Sequence, residues 1–351
     1  MKYTKQIVAV MVLLGVGAGL TVWSNADAAS SKLLSGTLNE QTIYANTYVT
    51  VGAASANKRI SGHVLANQAV TIGAGGQIGG TIRAGAAVNT GDSATVTGDV
   101  VSGAASTIGA NSIVSGNLYS GAAVTLGANS QVEGTVEYAA GITNGDGSTS
   151  GTQMQNTIPP VIEDEHLLVI TAQSALDAML GVIVTDSAIL TNTRFTAGVH
   201  DVPGYLTTAA GVTVTLDAQG KDGAFIFNIG TYMTLGEGTV IEVLNGTPNT
   251  TVIWNVTDGY ANIGANTAVV GTILAEQYVT IGADSTVTGA GTSCGGLYSG
   301  LSYVTLGANT SVSVNDCSGG AINHMLITDG VAHYQTPDPG EEEEAPQLDF
   351  N

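Results

Sequence analysis

The stretch ASTIGANSIVSGNLYSGAAVTLGA, Ala105 to Ala128, decides the fold. It holds one full repeat and the opening of the next, because Thr107-Ile108-Gly109 returns 18 residues on as Thr125-Leu126-Gly127. Outward from it, Gly73, Gly91, Gly109, Gly127 and Gly145 keep the 18-residue step, and Gly80, Gly98, Gly116 and Gly134 form a second series of the same period. Within a unit an inner ladder falls every six residues: Ile72, Ile78, Ala84, then Ile108, Val114, Ser120, then Leu126, Val132, Tyr138. A short fixed period of this kind is the signature of stacked coils. Three short strands per unit, each followed by a Gly-marked corner, describe a three-sided β-solenoid. Strand alternation sends Val70 and Ile72 inward and Thr71 outward, and the glycines are expected where the corner needs positive φ. Farther on, Asn262-Ile263-Gly264 and Thr280-Ile281-Gly282 resume the step, and Thr305-Leu306-Gly307 follows 25 residues later.

The bulk composition agrees. Of 351 residues 48 are Gly, 44% are hydrophobic, 5% aromatic and 10% charged. That apolar content argues against a disordered chain, and there is no Gly-X-Y register for a collagen helix. The core must therefore be small and branched, as narrow stacked layers require. With 8 basic against 28 acidic residues the net charge is -20. Such a surface repels nucleic acid, which is held by Lys and Arg neutralising phosphates, and it repels anionic lipid for the same reason.

The chain reads in three parts. Lys2 and Lys5, the apolar run Ile7 to Leu20 and Ala26-Asp27-Ala28 form an export leader over 1–28, with cleavage near Ala28. The apolar run is short for a membrane span, so a secreted, extracellular protein without membrane insertion is expected. Residues 29–336 are expected to form a single solenoid domain, and 337–351, with Glu341 to Glu344, an acidic disordered tail. Export favours a disulfide between Cys294 and Cys317, the only cysteines. One helix is expected over about 163–180, opened by Glu163-Asp164-Glu165, with Leu167, Ile170, Ala175, Leu176 and Met179 on one face. It should lie along one solenoid side. Ser35 to Ala56 carries no capping pattern, so that end of the solenoid is expected to be open.

From Gly211 onward the residues become specific. The run GVTVTLDAQGKDGAFIFNIGTYMTLGEGTVIEVLNG (Gly211 to Gly246), then TVIWNV (Thr251 to Val256) and NIGANTAVVGTILAEQYVTIGADSTVTGAG (Asn262 to Gly291), resembles the DUF3494 ice-binding protein family. The match is carried by Leu216-Asp217-Ala218-Gln219-Gly220, Phe225-Ile226-Phe227, Trp254 and Gly271 to Ala275, and spans about 165 to 315. The resemblance implies an all-β-dominated, discontinuous β-solenoid with one long helix packed alongside, and adsorption to the surface of ice crystals. Residues 40 to 150 are more regular and longer than the family's usual N-terminal part.

Ice adsorption calls for a flat, uncharged surface with hydroxyls and methyls at fixed spacing, which stiff Thr rotamers supply. The outward row Thr71, Asn89, Thr107, Thr125, Thr234, Asn262, Thr280 and Thr305 is the candidate face, and Asn111, Asn129, Asn266, Asp284 and Asn309 could extend it at the corners. Outward Thr ladders also stabilise sheets without any ligand, and Asn and Asp suit turns. Thr95 and Thr97, with Thr286 and Thr288, mark a rival face. An enzyme is not expected. The six-residue ladder also suits hexapeptide-type solenoid acyltransferases, but His63, His166, His200, His324 and His333 do not recur at the repeat spacing, and no nucleophile elbow, P-loop or zinc motif is present. Neither cofactor nor metal is implied. A structural or adhesive extracellular solenoid, self-associating through its ends, is the alternative.

Overall fold

The computed structural model describes residues 31–32, 34, 38, 41–55, 58–156, 164–291, 295–313, 325–328 and 331–334. Within them the 18-residue unit folds as three short strands. In one coil these are Val88–Thr90, Thr95–Val96 and Val100–Ser102, and Ser106–Ile108 opens the next. Equivalent strands pair in parallel, with Val88 opposite Ser106, Thr95 opposite Ile113 and Val100 opposite Leu118. The result is three long parallel sheets of 12, 12 and 13 strands around one apolar interior. We call the sheet containing Val88–Thr90 the first, that of Thr95–Val96 the second and that of Val100–Ser102 the third. Inward columns such as Val49, Val70, Val88 and Ile60, Ile78, Val96 are buried. At the other end of the interior the filling is aromatic: His200, Phe227 and Trp254 stack with centroids 4.7 and 4.4 Å apart, and Trp254 Nε1 donates to the Val270 carbonyl.

Chain order and spatial order differ. The chain enters in the middle of the stack at Gln41–Ala45 and builds coil on coil to Gln153–Gln155 at one end. After helix α1 (His166–Asp177) it restarts at the opposite end with Val182–Ile183 and builds back toward the middle. There the last coil seals onto the first, with Val49, Thr50 and Val51 opposite Val304, Thr305 and Leu306. The expectation of an open end near Ser35 to Ala56 is therefore corrected: strands Gln41–Ala45 and Val49–Val51 have neighbours on both edges. Pairing the two coils removes two sets of strand edges that would otherwise be exposed.

The corners also correct the reading of glycine. Positive φ lies two residues after the Gly109 position of each coil and is shared there between Gly75, Gly147, Gly211 and Gly238 and the non-glycine residues Ser93, Asn111, Asn129, Asn266, Asp284 and Asn309, the latter at 54–59°. Gly109 is required by proximity: a Cβ there would sit 2.4 Å from the backbone of Gly91 in the coil below. The next corner residue is a buried polar one that stitches coils together. Ser112 Oγ donates to the Gly91 carbonyl and accepts from the Ala94 amide, and Ser285 Oγ bonds Gly264 and Thr267 in the same way.

Helix α1 lies against the third sheet, which is buried on both faces there. Val169, Ala172, Ala175 and Leu176 meet Tyr44, Leu65, Ile226, Ile253, Leu274 and Tyr298. Ala175 and Leu176 are buried and Met179 packs against them, as expected, whereas Leu167 is exposed and Val169, Ala172 and Gln173 complete the buried stripe. Polar groups fix the docking. Gln173 Nε2 donates to the Val256 carbonyl, Asn255 Nδ2 to the Gln173 carbonyl and Asn228 Nδ2 to the Leu176 carbonyl. Ahead of the helix the Asp164 carboxylate accepts from the His166 amide. Strands Ser31–Lys32, Met325–Thr328 and Val331–Tyr334 form a small antiparallel sheet. The leader 1–28, Glu163, His324, both cysteines and the tail 337–351 lie outside the described residues.

Candidate functional site

The first sheet brings the candidate row into one register column. Thr71 stands opposite Asn89, Asn89 opposite Thr107 and Thr107 opposite Thr125. In the other half Thr234 faces Asn262, Asn262 faces Thr280 and Thr280 faces Thr305. Thr50, opposite both Thr71 and Thr305, joins the two halves across the seam. Thr143 extends the row at one end and Thr207 at the other, where Ala188 closes it. Each step is one parallel-strand spacing, about 4.8 Å. The column carries no charged side chain, and at Asn262 the row is bonded: Thr280 Oγ1 donates to Asn262 Oδ1 at 2.8 Å.

Thr50, Thr143 and Thr207 were missed in the sequence. Thr50 could have been found from Thr50-Val51-Gly52, which repeats the Thr-Ile-Gly pattern.

A second column runs beside the first, two residues earlier on each strand. In one half it is tyrosine: Tyr205, Tyr232, Tyr260, Tyr278, Tyr303 and Tyr48 stack ring on ring, with centroids 4.8–5.4 Å apart and planes within 9° of parallel. Burial, and then the neighbouring Tyr260 and Tyr303 phenols, push the Tyr278 hydroxyl above its ordinary value. Beyond Tyr48 the same column becomes Ala69, Ala87, Ala105 and Ala123. The sequence signal was the recurrent Tyr two residues before each Thr or Asn, as in Tyr278-Val279-Thr280.

The rival residues sit on the second sheet. Thr95 lies in a column with Gln77, Ile113 and Gln131, and Thr286 in one with Ala268 and Ser311. Arg59 shares the Thr95 column, Thr288 stands opposite Val270, and Thr97 is followed along its line by Ser115 and Glu133. That face mixes charge, amide and hydrocarbon from coil to coil. The corner residues Asn111, Asn129, Asn266, Asp284 and Asn309 hold the left-handed turn between the first and second sheets and ladder with one another: Asn309 Nδ2 donates to Asp284 Oδ1 at 3.1 Å. The third sheet is covered by α1 in one half. Beyond α1 its outward column is Arg83, Val101, Tyr119, Glu137 and Met154.

His63, His166 and His200 have structural partners. His63 Nδ1 accepts from the Thr81 amide, His166 Nδ1 is 2.8 Å from Asp164 Oδ1, and His200 stacks on Phe227 with Nε2 against the Thr196 carbonyl. Asp217 is buried and held by Arg194, the Gln219 amide and Asn245 Nδ2, as a turn residue would be. Among the described residues no group of three or more His, Cys, Asp or Glu is placed to hold a metal ion. No described helix is long and apolar enough to cross a membrane.

A family model described as Ice-binding-like matches residues 136–312, just over half of the chain. Comparison with curated protein sequences gives no match. Among solved structures, a glycosylated ice-binding protein from an Arctic yeast is similar at 12% identity, covering 82% of this chain and 96% of its own, with a TM-score of 0.46. An ice-binding protein from an Antarctic biological consortium is 15% identical over 86% of this chain and 95% of its own, with a TM-score of 0.45. The DUF3494 domain of a Shewanella frigidimarina ice-binding protein is 20% identical over 62% of this chain and 94% of its own, with a TM-score of 0.33.

Proposed function

The chain belongs to the ice-binding-like family, and from that premise we propose that it adsorbs to ice through the outward Thr/Asn column of the first sheet and restrains crystal growth or recrystallisation. The observation that carries the choice of face is the register: one uncharged column of Thr and Asn side chains runs through both halves of the stack without a break at the seam. Adsorption to a lattice needs many weak contacts made at once. A rigid parallel ladder supplies them at a fixed interval near 4.8 Å, with the β-branched Thr side chain restricted at χ1 before contact. The leader pattern of 1–28 supports export and extracellular action. The action is non-enzymatic and needs no cofactor.

The test is thermal hysteresis and ice-recrystallisation inhibition by the exported chain, with a heat-unfolded sample beside it. Activity present in the folded sample and lost on unfolding is the expected result. No activity at high protein concentration would refute the proposal.

One observation favours the alternative, an extracellular structural or adhesive solenoid. At the end of the stack that begins with Val182–Ile183, Leu180 is 98% exposed, with Val182, Ile183 and Leu190 also largely exposed. Unpaired strand edges with apolar side chains template association. Filaments seen by electron microscopy in a protein without effect on ice would select that reading.

A further inference from the structure

The face of the first sheet is chemically continuous but not level. Along the tyrosine ladder, Thr207, Thr234, Thr280, Thr305 and Thr50 are only half-exposed. Where the flanking column becomes alanine or glycine, Thr71, Asn89, Thr107, Thr125 and Thr143 are all exposed. The change falls on one coil boundary, between Tyr48 with Thr50 and Ala69 with Thr71. Asn262 is the one exposed member of the row on the tyrosine side. The physical reason is reach. A Thr side chain ends at its γ atoms, whereas a Tyr carries a ring and a hydroxyl beyond them. The rings here stand edge-outward, because they stack on one another along the solenoid axis. Stacking also holds them in place. The outer rings Tyr48 and Tyr205 remain 39% and 41% exposed, so the ridge is not buried under anything.

A crystal plane is flat and rigid, and it cannot touch a Thr row and clear a standing row of rings beside it. Resting on the reading of this sheet as the ice-contact face, we propose that the tyrosine ladder holds ice off one half of the sheet, so that adsorption is made through Thr71, Asn89, Thr107, Thr125 and Thr143. Four of these five residues precede the family-matched residues 136–312.

The test moves the ladder rather than the row. Ala105→Tyr with Ala123→Tyr extends the ridge into the flat half at positions where equivalent coils already carry Tyr, and leaves every Thr in place. The full chain with this pair should keep its melting temperature and lose most of its thermal hysteresis. Tyr232→Ala with Tyr260→Ala, assayed independently, should keep the wild-type activity. An Ala105→Tyr/Ala123→Tyr chain that folds and is as active as wild type would overturn the inference. So would a Tyr232→Ala/Tyr260→Ala chain that folds and loses activity, since the tyrosines would then be contacting ice. If the wild-type chain itself has no effect on ice, it is the underlying functional reading that fails, whatever the ladder does.

Discussion

His200 shows how a single side chain is fixed by its place in the stack. Its ring lies 4.7 Å from that of Phe227 inside the solenoid, and burial holds its pKa below the ordinary 6.5. The folded chain therefore prefers the neutral ring. As pH falls through about 6.5 the unfolded chain takes up the proton first, and stability drops until the folded value is passed; above 6.5 the contribution is constant. Melting temperature should fall as the pH is lowered through about 6.5, and part of that fall should vanish in His200→Phe. An unchanged pH profile in the variant would show that His200 is not responsible. At this scale the threonine row was legible, because strand alternation alone decides which residues of Val70-Thr71-Ile72 point outward. The tyrosine column was not read, although its two-residue offset from Thr is plain once the sheet is known. The role of the Gly109 series was misread: those glycines serve close approach, and the positive φ falls two residues on, at Gly75, Asn111 or Gly147.

Helix α1 is an element held by packing and by three side-chain amides. Leu176 is fully buried against the third sheet, and its carbonyl accepts from Asn228. Leu176→Ala should cost about 2–5 kcal/mol, the range for a buried leucine truncated in a core. Asn228→Ala removes two buried hydrogen bonds, the one it donates to the Leu176 carbonyl and the one it accepts from Asn255 Nδ2, and should cost about 1–3 kcal/mol. Chemical denaturation of each variant checks both, and a loss within error of zero for Leu176→Ala would mean that the helix is not docked as described. The helix was readable from its apolar periodicity, and Ala175, Leu176 and Met179 lie on the packed face as expected, but its bounds were placed too wide and the stripe was extended to Leu167 in place of Val169 and Gln173. Gln173 is the cause: a polar residue inside the stripe looks like surface until its partner is known, and that partner, the Val256 carbonyl, is 83 residues away.

For the whole molecule, the coil was legible and the order of coils was not. An 18-residue period says that neighbours stack, yet nothing local says that Thr50 meets Thr305, because every coil offers a similar edge. Closure at that seam also depends on glycine: a Cβ on Gly52 would lie 2.6 Å from the backbone of Gly307 and Ala308, whereas one on Gly141, at the far end of the first sheet, would meet nothing within 4 Å. Gly52→Val should therefore lower the melting temperature and speed amide exchange on both sides of the seam, while Gly141→Ala leaves both unchanged. Equal behaviour of the two variants would contradict the closed stack. The central claim concerns which face meets ice, and one comparison tests it most directly: thermal hysteresis of Thr107→Tyr/Thr125→Tyr on the first sheet against Thr95→Tyr/Thr97→Tyr on the second, each checked for an unchanged fold. Activity abolished in the first pair and kept in the second is the result expected. Activity kept in the first pair and abolished in the second would place the ice contact on the other sheet and contradict the account.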